Sequence, residues 1–544
     1  MKTRAFLLPV AYAITSSPGV ISHPTEPHHS SAVQLIVPKD DSGASIAHSP
    51  SFSSFSFEPA YWVEFFGNST SPNPLAFRLL DLIHQHGGRP IIRPGGITMD
   101  SMIFDPKAGE SVRETSKAGG VYRTTVGPAY YESWSNFPNG TKFVSTLNFG
   151  NSSLDIARDM ALASVMYQND LVEYFELGNE PTNYPKARWN DSTAAYVQQW
   201  KSWTATIDTA VNQEVAKAGE AAFPGERWWA SSATTDESGL NVRPADIIPA
   251  GIDSAHQVAE YSIHSYPFST CDPARAALAT TSNILNHTGL AVYADNEIYP
   301  SAKAALDSGS KWVIGEFNSI SCSGNPNVTD TFAQALWVID SELIYATRNA
   351  SSCNLHQGAA LVFQSSDQVN SAASDGSPGY STYDMFYPTN TSLRGPARVL
   401  PSFAGQLFLA EAFATNGSRV TSLAAPAGVD ADRFAAYAFY DNATVSKIAI
   451  INMQPYYANS TSDFAVKINI PGAGQSHHGW GSSSQTYVKR LTAPYVNSKN
   501  ATDVKWAGQT FEGGVPSGKV QQEMLAADGT VTVRGSEAVL VFLK

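Results

Sequence analysis

Short apolar runs alternate with stretches of helical periodicity along the first two thirds of the chain. Eight runs read as strands: Phe55–Glu58, Arg89–Arg93, Phe143–Asn148, Val172–Leu177, Trp228–Ser232, Tyr261–His264, Lys311–Ile314 and Ala359–Phe363. Between them, Leu75, Leu79, Leu82 and Ile83 recur at helical spacing and stop at Gly87 and Gly88, a C-terminal signal. Tyr196, Trp200, Trp203 and Ile207 repeat the pattern, as do Phe332, Leu336, Ile339 and Leu343. These stripes read as helix packed on sheet. Eight strands alternating with helices predict an α/β chain built on a (β/α)8 TIM barrel over residues 51–400.

After about residue 400 the period changes to two. Phe464, Val466, Ile468 and Ile470 alternate with Ala465, Lys467 and Asn469, and Val531–Val533 and Val539–Phe542 repeat the theme. This predicts a C-terminal β-sandwich over 401–544. Val33–Val37 is separated from the barrel by a Ser-rich stretch, so the segment 18–50 is expected to lend a strand to that sandwich. Residues 1–17 carry a basic start, a short apolar run and small residues, the pattern of a secretory signal peptide. Residues 18–31 read as a polar leader, in which His28 and His29 are a solvated pair.

Composition narrows the partners. The chain has 544 residues and a formal charge of −13, which disfavours nucleic acid and long polyanions. The leader run is too short to span a bilayer, and no later run is long enough, so no membrane partner is expected. Twelve Asn-X-Ser/Thr sequons, at Asn68, Asn139, Asn151, Asn190, Asn286, Asn327, Asn349, Asn390, Asn416, Asn442, Asn459 and Asn500, together with the leader, predict a secreted, extracellular protein carrying N-glycans. With three cysteines, one disulfide at most forms within the chain. Cys271 with Cys322, on loops after neighbouring strands, stands beside Cys322 with Cys353. Cys and His positions show no metal spacing and no nucleophile-elbow serine occurs, so neither metal nor cofactor is expected.

The chemistry sits at strand ends. Glu180, in Leu177–Pro181, and Glu316, in Trp312–Asn318, each follow an apolar run, at the end where parallel α/β architectures place their active sites. Two such carboxylates suit glycoside hydrolysis, Glu180 as acid/base and Glu316 as nucleophile, with Asn179 donating to a sugar hydroxyl. Glu176 shares a face with Glu180 one pleat deeper and reads as structural. His264 and Tyr266 follow the sixth strand, beside the strand of Glu316. Tyr266 reads as a hydrogen-bond donor to the nucleophile and a substrate contact, with His264 in support. After the second strand, Arg93 is expected to form a buried pair near the carboxylates, and Asp100, in the following turn, is a candidate substrate contact.

Arg93–Asp100 continuing into Ile103–Pro106, the run Leu177–Pro181, and Gly315–Glu316 with Asn318 and Ser319 together resemble glycoside hydrolase family 79, which includes heparanase and microbial and fungal β-glucuronidases. The resemblance runs from roughly residue 50 to the end. It implies a barrel with a C-terminal β-sandwich, a retaining mechanism, and the same roles for Glu180, Glu316 and Asn179. It also implies that the loops at Asn318–Ser321 and Gly376–Tyr380, after the seventh and eighth strands, grip the substrate's carboxylate partly through backbone donors, making Asn318, Ser319 and Tyr380 substrate-binding candidates. Ile97 departs from the polar residue that heparanase-like sequences tend to carry there. The reading is a secreted exo-β-glucuronidase removing terminal, or 4-O-methylated, glucuronic acid. A heparanase-like endo-enzyme or a relative acting on a neutral sugar stands as the alternative.

Overall fold

The computed structural model describes residues 31–117, 120–223, 225–235, 240–359, 377–473 and 486–543. The leader therefore lies outside the described residues. Eight parallel strands close into a barrel: β1 Ser53–Phe57, β2 Ile92–Pro94, β3 Phe143–Leu147, β4 Val172–Leu177, β5 Trp228–Ala233, β6 Val258–Ser265, β7 Lys311–Phe317 and β8 Cys353–Gln357. β8 closes the ring on β1 in unbroken register from Cys353 opposite Ser53 to Gln357 opposite Phe57. Barrel strands are covered on both faces, which is why most of them read as near-continuous apolar runs.

The eighth strand corrects the sequence reading. It is Cys353–Gln357 rather than Ala359–Phe363. Cys-Asn-Leu-His-Gln is polar at three of its positions and carries no apolar run, so periodicity passed over it. Its polar side chains find partners inside the protein, Asn354 Nδ2 by donating to the carbonyl of Ile314 and His356 through Ser56. Ala359 makes a single bridge to Tyr380, and 360–363 are outside the described residues. A second difference is an insertion after β2, where Met102–Phe104, Val112–Lys117 and Gly120–Val126 form a small sheet of their own.

Helices form where caps and stripes coincide. In α1, Pro74–Gln85, the Asn73 side chain accepts from the Leu75 N–H and Pro74 begins the first turn, while Leu75, Leu79, Leu82 and Ile83 are buried. In α2, Thr193–Lys217, Ser192 caps the start and Tyr196, Trp200, Trp203 and Ile207 face the barrel core. α3, Phe332–Thr347, and α4, Ser402–Ala412, are buried almost all round because they lie between barrel and sandwich.

The C-terminal part holds β9 Arg419–Leu423, β10 Phe434–Asp441, β11 Thr444–Asn452, β12 Val466–Asn469, β13 Tyr487–Thr492, β14 Thr530–Val533 and β15 Glu537–Phe542. One sheet runs β9-β10-β11-β15-β13 and ends at Lys505–Trp506. A second joins β12 and β14 to Val33–Gln34, which pairs parallel to β12 with Val33 opposite Ile468. Alternation along β10 divides two cores. Phe434, Ala436, Ala438 and Tyr440 pack between the sheets, whereas Ala435, Tyr437 and Phe439 join the core of the barrel.

Candidate active site

The carboxyl ends of the barrel strands converge on Arg93, whose side chain at the end of β2 has no exposure. Its Nε pairs with Glu176 of β4 at 2.5 Å and its Nη1 with Glu316 of β7 at 3.0 Å. Nη1 also donates to Ser56 Oγ of β1 at 2.9 Å, and Nη2 to Asn179 Oδ1 at 3.1 Å. One guanidinium thus ties four strands together, and its planar fork is what allows it.

Glu316 owes its aim to a bulge. Ile263 of β6 faces Ile314 and the next residue, His264, faces Glu316, so Gly315 is the extra residue. A Cβ on Gly315 would lie 2.0 Å from Ser262 Oγ, so any side chain there would have to displace the Ser262 hydroxyl. Glu316 Oε1 accepts from the Tyr266 hydroxyl at 2.8 Å, and His356 Nδ1 stands 3.7 Å from Oε2. Burial opposes ionisation of Glu316, but His356, His264, Arg93 and the Tyr266 hydroxyl outweigh it and hold the carboxyl below its usual range. Burial and the charge of Glu316 push the Tyr266 phenol well up, so it stays a donor.

Glu180 sits on a sharp turn. Gly178 has φ 87° and Glu180 itself has φ 47°, a left-handed conformation that costs a non-glycine residue energy and that clusters at functional sites. The turn is held by the Glu180 N–H to the carbonyl of Ser232 and by the Asn183 N–H to the carbonyl of Glu180. The carboxylate is bridged by His264 Nδ1 at 3.1 Å from Oε1 and Asn183 Nδ2 at 2.9 Å from Oε2. Arg93 Nη2, a donor, lies 3.5 Å from His264 Nε2, which makes Nε2 the acceptor and puts the ring proton on Nδ1, facing Glu180.

An oxygen of Glu180 and one of Glu316 lie within 4.8 Å of each other. His264 Nδ1 or Nε2 completes this group, the one convergence of three such ligands among the described residues. Arg93 beside Glu316 already supplies a permanent cation there, so the donor set suits carboxylate chemistry better than a metal ion. Asn179 is 5% exposed; Arg93 holds its Oδ1, and no described residue accepts from its Nδ2. That leaves one oriented donor beside two carboxylates.

Four candidate contacts are placed otherwise. Asp100 spends its carboxylate on the N–H groups of Phe149, Gly150 and Asn179 and on the Tyr184 hydroxyl, so it braces Asn179 from behind rather than meeting substrate. Asn318 gives its amide to the carbonyl of His356 and accepts from the Ser319 N–H and Gln334. Ser319 Oγ donates to Gln334, and both residues have zero exposure. Tyr380 is likewise fully buried, its hydroxyl on Thr389 and its ring stacked on Tyr387. Of the backbone donors of this loop, the Asn318 N–H goes to the carbonyl of Ser265 and the Ser319 N–H to Asn318 Oδ1, and Ile320–Ser321 pairs with Phe268–Ser269. Gly376 lies outside the described residues.

The sequence reading missed Glu58 and His356. Glu58 follows β1 and accepts from the N–H groups of Ile97 and Thr98 and from Thr98 Oγ1, which fixes the loop after β2. Burial pushes its carboxyl up to about 7, against the Thr98 hydrogen bonds and with help from the charge of Glu316. His356 lies 3.8 Å from Glu58 and is held down at about 4, chiefly by burial. Glu58 carries the same strand-end signal as Glu180; His356 was hidden by the misplaced eighth strand. Cys271 and Cys322 are disulfide-bonded, which links the loops after β6 and β7, and Cys353 is free and buried.

A closed parallel barrel with two carboxylates converging at its carboxyl face defines a glycoside hydrolase. Residues 436–540 match the family model "Glycosyl hydrolase family 79 C-terminal beta domain". A β-glucuronidase of Aspergillus niger is 28% identical, with 96% of this chain and 94% of that protein aligned. One of Neurospora crassa is 23% identical, over 92% and 91%. Among solved structures, a 4-O-α-L-rhamnosyl-β-D-glucuronidase from Fusarium oxysporum 12S shares the fold with a TM-score of 0.72 at 21% identity, covering 94% of this chain and all of that one. An α-L-arabinofuranosidase from Thermotoga maritima gives a TM-score of 0.58 at 13% identity, over 94% and 99%. The family match of residues 436–540 and the two fungal relatives thus liken the chain to glycoside hydrolase family 79.

Proposed function

We propose that the protein is a secreted, exo-acting β-glucuronidase that hydrolyses terminal β-linked glucuronic acid with retention of configuration. The single observation that carries the mechanism is the approach of Glu180 and Glu316 to within 4.8 Å. Retaining enzymes hold their carboxyl groups about 5–5.5 Å apart, whereas inverting ones leave about 6.5–9.5 Å for a water. Glu316, kept ionised by Arg93 and the Tyr266 hydroxyl, attacks the anomeric carbon while Glu180 gives its proton to the leaving oxygen. Glu180 then takes a proton from water, which displaces Glu316 from the glycosyl-enzyme. Asn179 Nδ2 is oriented to donate to the 2-hydroxyl, a bond that strengthens as charge develops on the ring.

The glucuronide substrate is supported by the names of the two fungal relatives. Secretion is supported by the leader and by the placement of the sequons, since none of the twelve asparagines is buried. Among the described residues, no helix is long and apolar enough to cross a membrane. Nitrophenyl β-glucuronide is to be compared with the matching glucoside, galactoside and xyloside, following the first-formed anomer by NMR. Turnover of the glucuronide alone with β-glucuronic acid appearing first is expected. An α-anomer defeats retention, preference for a neutral glycoside defeats the substrate, and release of oligosaccharides from a polymer would make the enzyme endo-acting.

A further inference from the structure

Three loops meet on the carboxylate of Asp100. The residue belongs to the tight turn Ile97–Ser101 after β2, whose start is fixed by Glu58 through the N–H groups of Ile97 and Thr98. Its Oδ1 accepts from the N–H groups of Phe149 at 3.2 Å and Gly150 at 3.0 Å, in the loop after β3. Its Oδ2 accepts from the Asn179 N–H at 3.2 Å and the Tyr184 hydroxyl at 2.6 Å, in the loop after β4. The Asn179 N–H is shared with the Tyr184 oxygen, also at 3.2 Å. Glycine stands where these chains close up. A Cβ on Gly150 would lie 2.6 Å from Asp100 Cβ, and one on Gly178 would lie 2.8 Å from the Tyr184 hydroxyl. Arg188 lies over the rings of Phe149 and Tyr184, at 4.1 and 5.3 Å, and ties the two later loops to each other.

We infer that Asp100 is the positioning residue for the donor to the sugar 2-hydroxyl: it pins the backbone of Asn179 while Arg93 pins Oδ1, and the two together aim Nδ2. The inference rests on the glucuronidase reading and on the contact of Asn179 with the 2-hydroxyl. Arg93 alone holds only the far end of the side chain, 3.1 Å from Oδ1, and leaves its root free to shift. Asp100 fixes that root, so the direction of Nδ2 is set from both ends. The bond to the 2-hydroxyl strengthens as charge develops on the ring, so a misaimed donor costs more in the transition state than in the bound substrate. Four donors converge on Asp100, and only a carboxylate accepts at both oxygens. An amide in its place turns an NH2 group onto backbone N–H groups in either orientation.

The test takes nitrophenyl β-glucuronide and its 2-deoxy analogue, which share a leaving group, through wild type, Asp100→Asn, Asn179→Ala and the double variant at about pH 7. Burial pushes the Asp100 carboxyl up to about 6 against its hydrogen bonds, so it is ionised there. The ratio of kcat/KM on the 2-hydroxy compound to that on the 2-deoxy compound is expected to fall about tenfold in Asp100→Asn, chiefly through kcat, and at least as far in Asn179→Ala. The double variant is expected to match Asn179→Ala, because Asp100 then has no donor to aim. Equal slowing of both compounds in Asp100→Asn, or a double variant whose ratio falls by the product of the single effects, overturns the positioning role. Where Asp100→Asn does not fold, Tyr184→Phe removes one of the four donors. Its ratio is expected to fall about threefold, and an unchanged ratio overturns the inference. A wild type that prefers a neutral glycoside removes the glucuronide reading alone, and the same ratio is then read on that glycoside and its 2-deoxy form.

Discussion

Arg93 shows how one side chain sets the chemistry of its neighbours. It neutralises Glu176 and Glu316 and fixes Asn179 through three separate nitrogens. Arg93→Met strands two buried carboxylates, a change expected to cost about 3–5 kcal/mol in chemical denaturation. With that cation gone, the pKa of Glu316 rises, so the acid limb of the pH–rate profile should move to higher pH. Glu316→Ala is expected to lower kcat by about 10⁴-fold or more on every substrate, measured by steady-state kinetics. Glu180→Ala should slow glycosides with poor leaving groups by about 10²–10⁴-fold and activated phenyl glycosides far less, because only the former need the proton. Equal losses on both would remove Glu180 from the acid role. Strand-end position made Glu180, Glu316, Arg93, His264 and Tyr266 legible, since residues at the carboxyl end of a barrel strand lie at the mouth, whatever turn or bulge then aims the side chain. That the side chains of Asn318 and Ser319 turn to Gln334 was not legible, because a polar residue beside a nucleophile looks the same in sequence whether it meets sugar or Gln334. Gln334 is on α3, and nothing local announces that α3 supplies the partner.

At the scale of elements, the loops after β6 and β7 carry Tyr266 and follow Glu316, and Cys271–Cys322 ties them together across a separation of 51 residues. Replacing both cysteines by serine is expected to lower stability by about 2–4 kcal/mol, read as a fall in Tm, because the unfolded chain regains loop freedom. Helices were legible where a cap, an apolar stripe and a stop signal agree, as in α1. The last barrel strand was not, because Asn354, His356 and Gln357 are polar residues buried against specific partners. Burial of a polar group depends on what satisfies it, and those partners come from β1, β7 and distant loops.

At the scale of the molecule, barrel and sandwich are joined through buried charge as well as apolar packing. Glu411 of α4 pairs with His86 at 2.6 Å and with Lys489 of β13 at 2.7 Å, and accepts from Trp506. Asp340 of α3 accepts from the Tyr437 hydroxyl of β10 at 2.7 Å and pairs with His287 at 3.0 Å. Burial alone would depress His287, but Asp340 outweighs it and, with Asp432 in support against Arg348, raises its pKa. A raised histidine contributes stability that is fully present below its unfolded pKa of about 6.5 and is lost as pH rises through the folded value. The fall of Tm above about pH 6.5 should therefore be shallower in His287→Asn than in wild type. The sequence by itself determined the barrel, the period-two C-terminal part and the two carboxylates, because strand and helix periodicity and strand-end placement are local properties of the chain. Only the tertiary structure decided the distance between Glu180 and Glu316, the convergence on Arg93 and the bulge at Gly315. Those depend on register between strands far apart in sequence and on which buried polar groups find one another, and no local pattern encodes either.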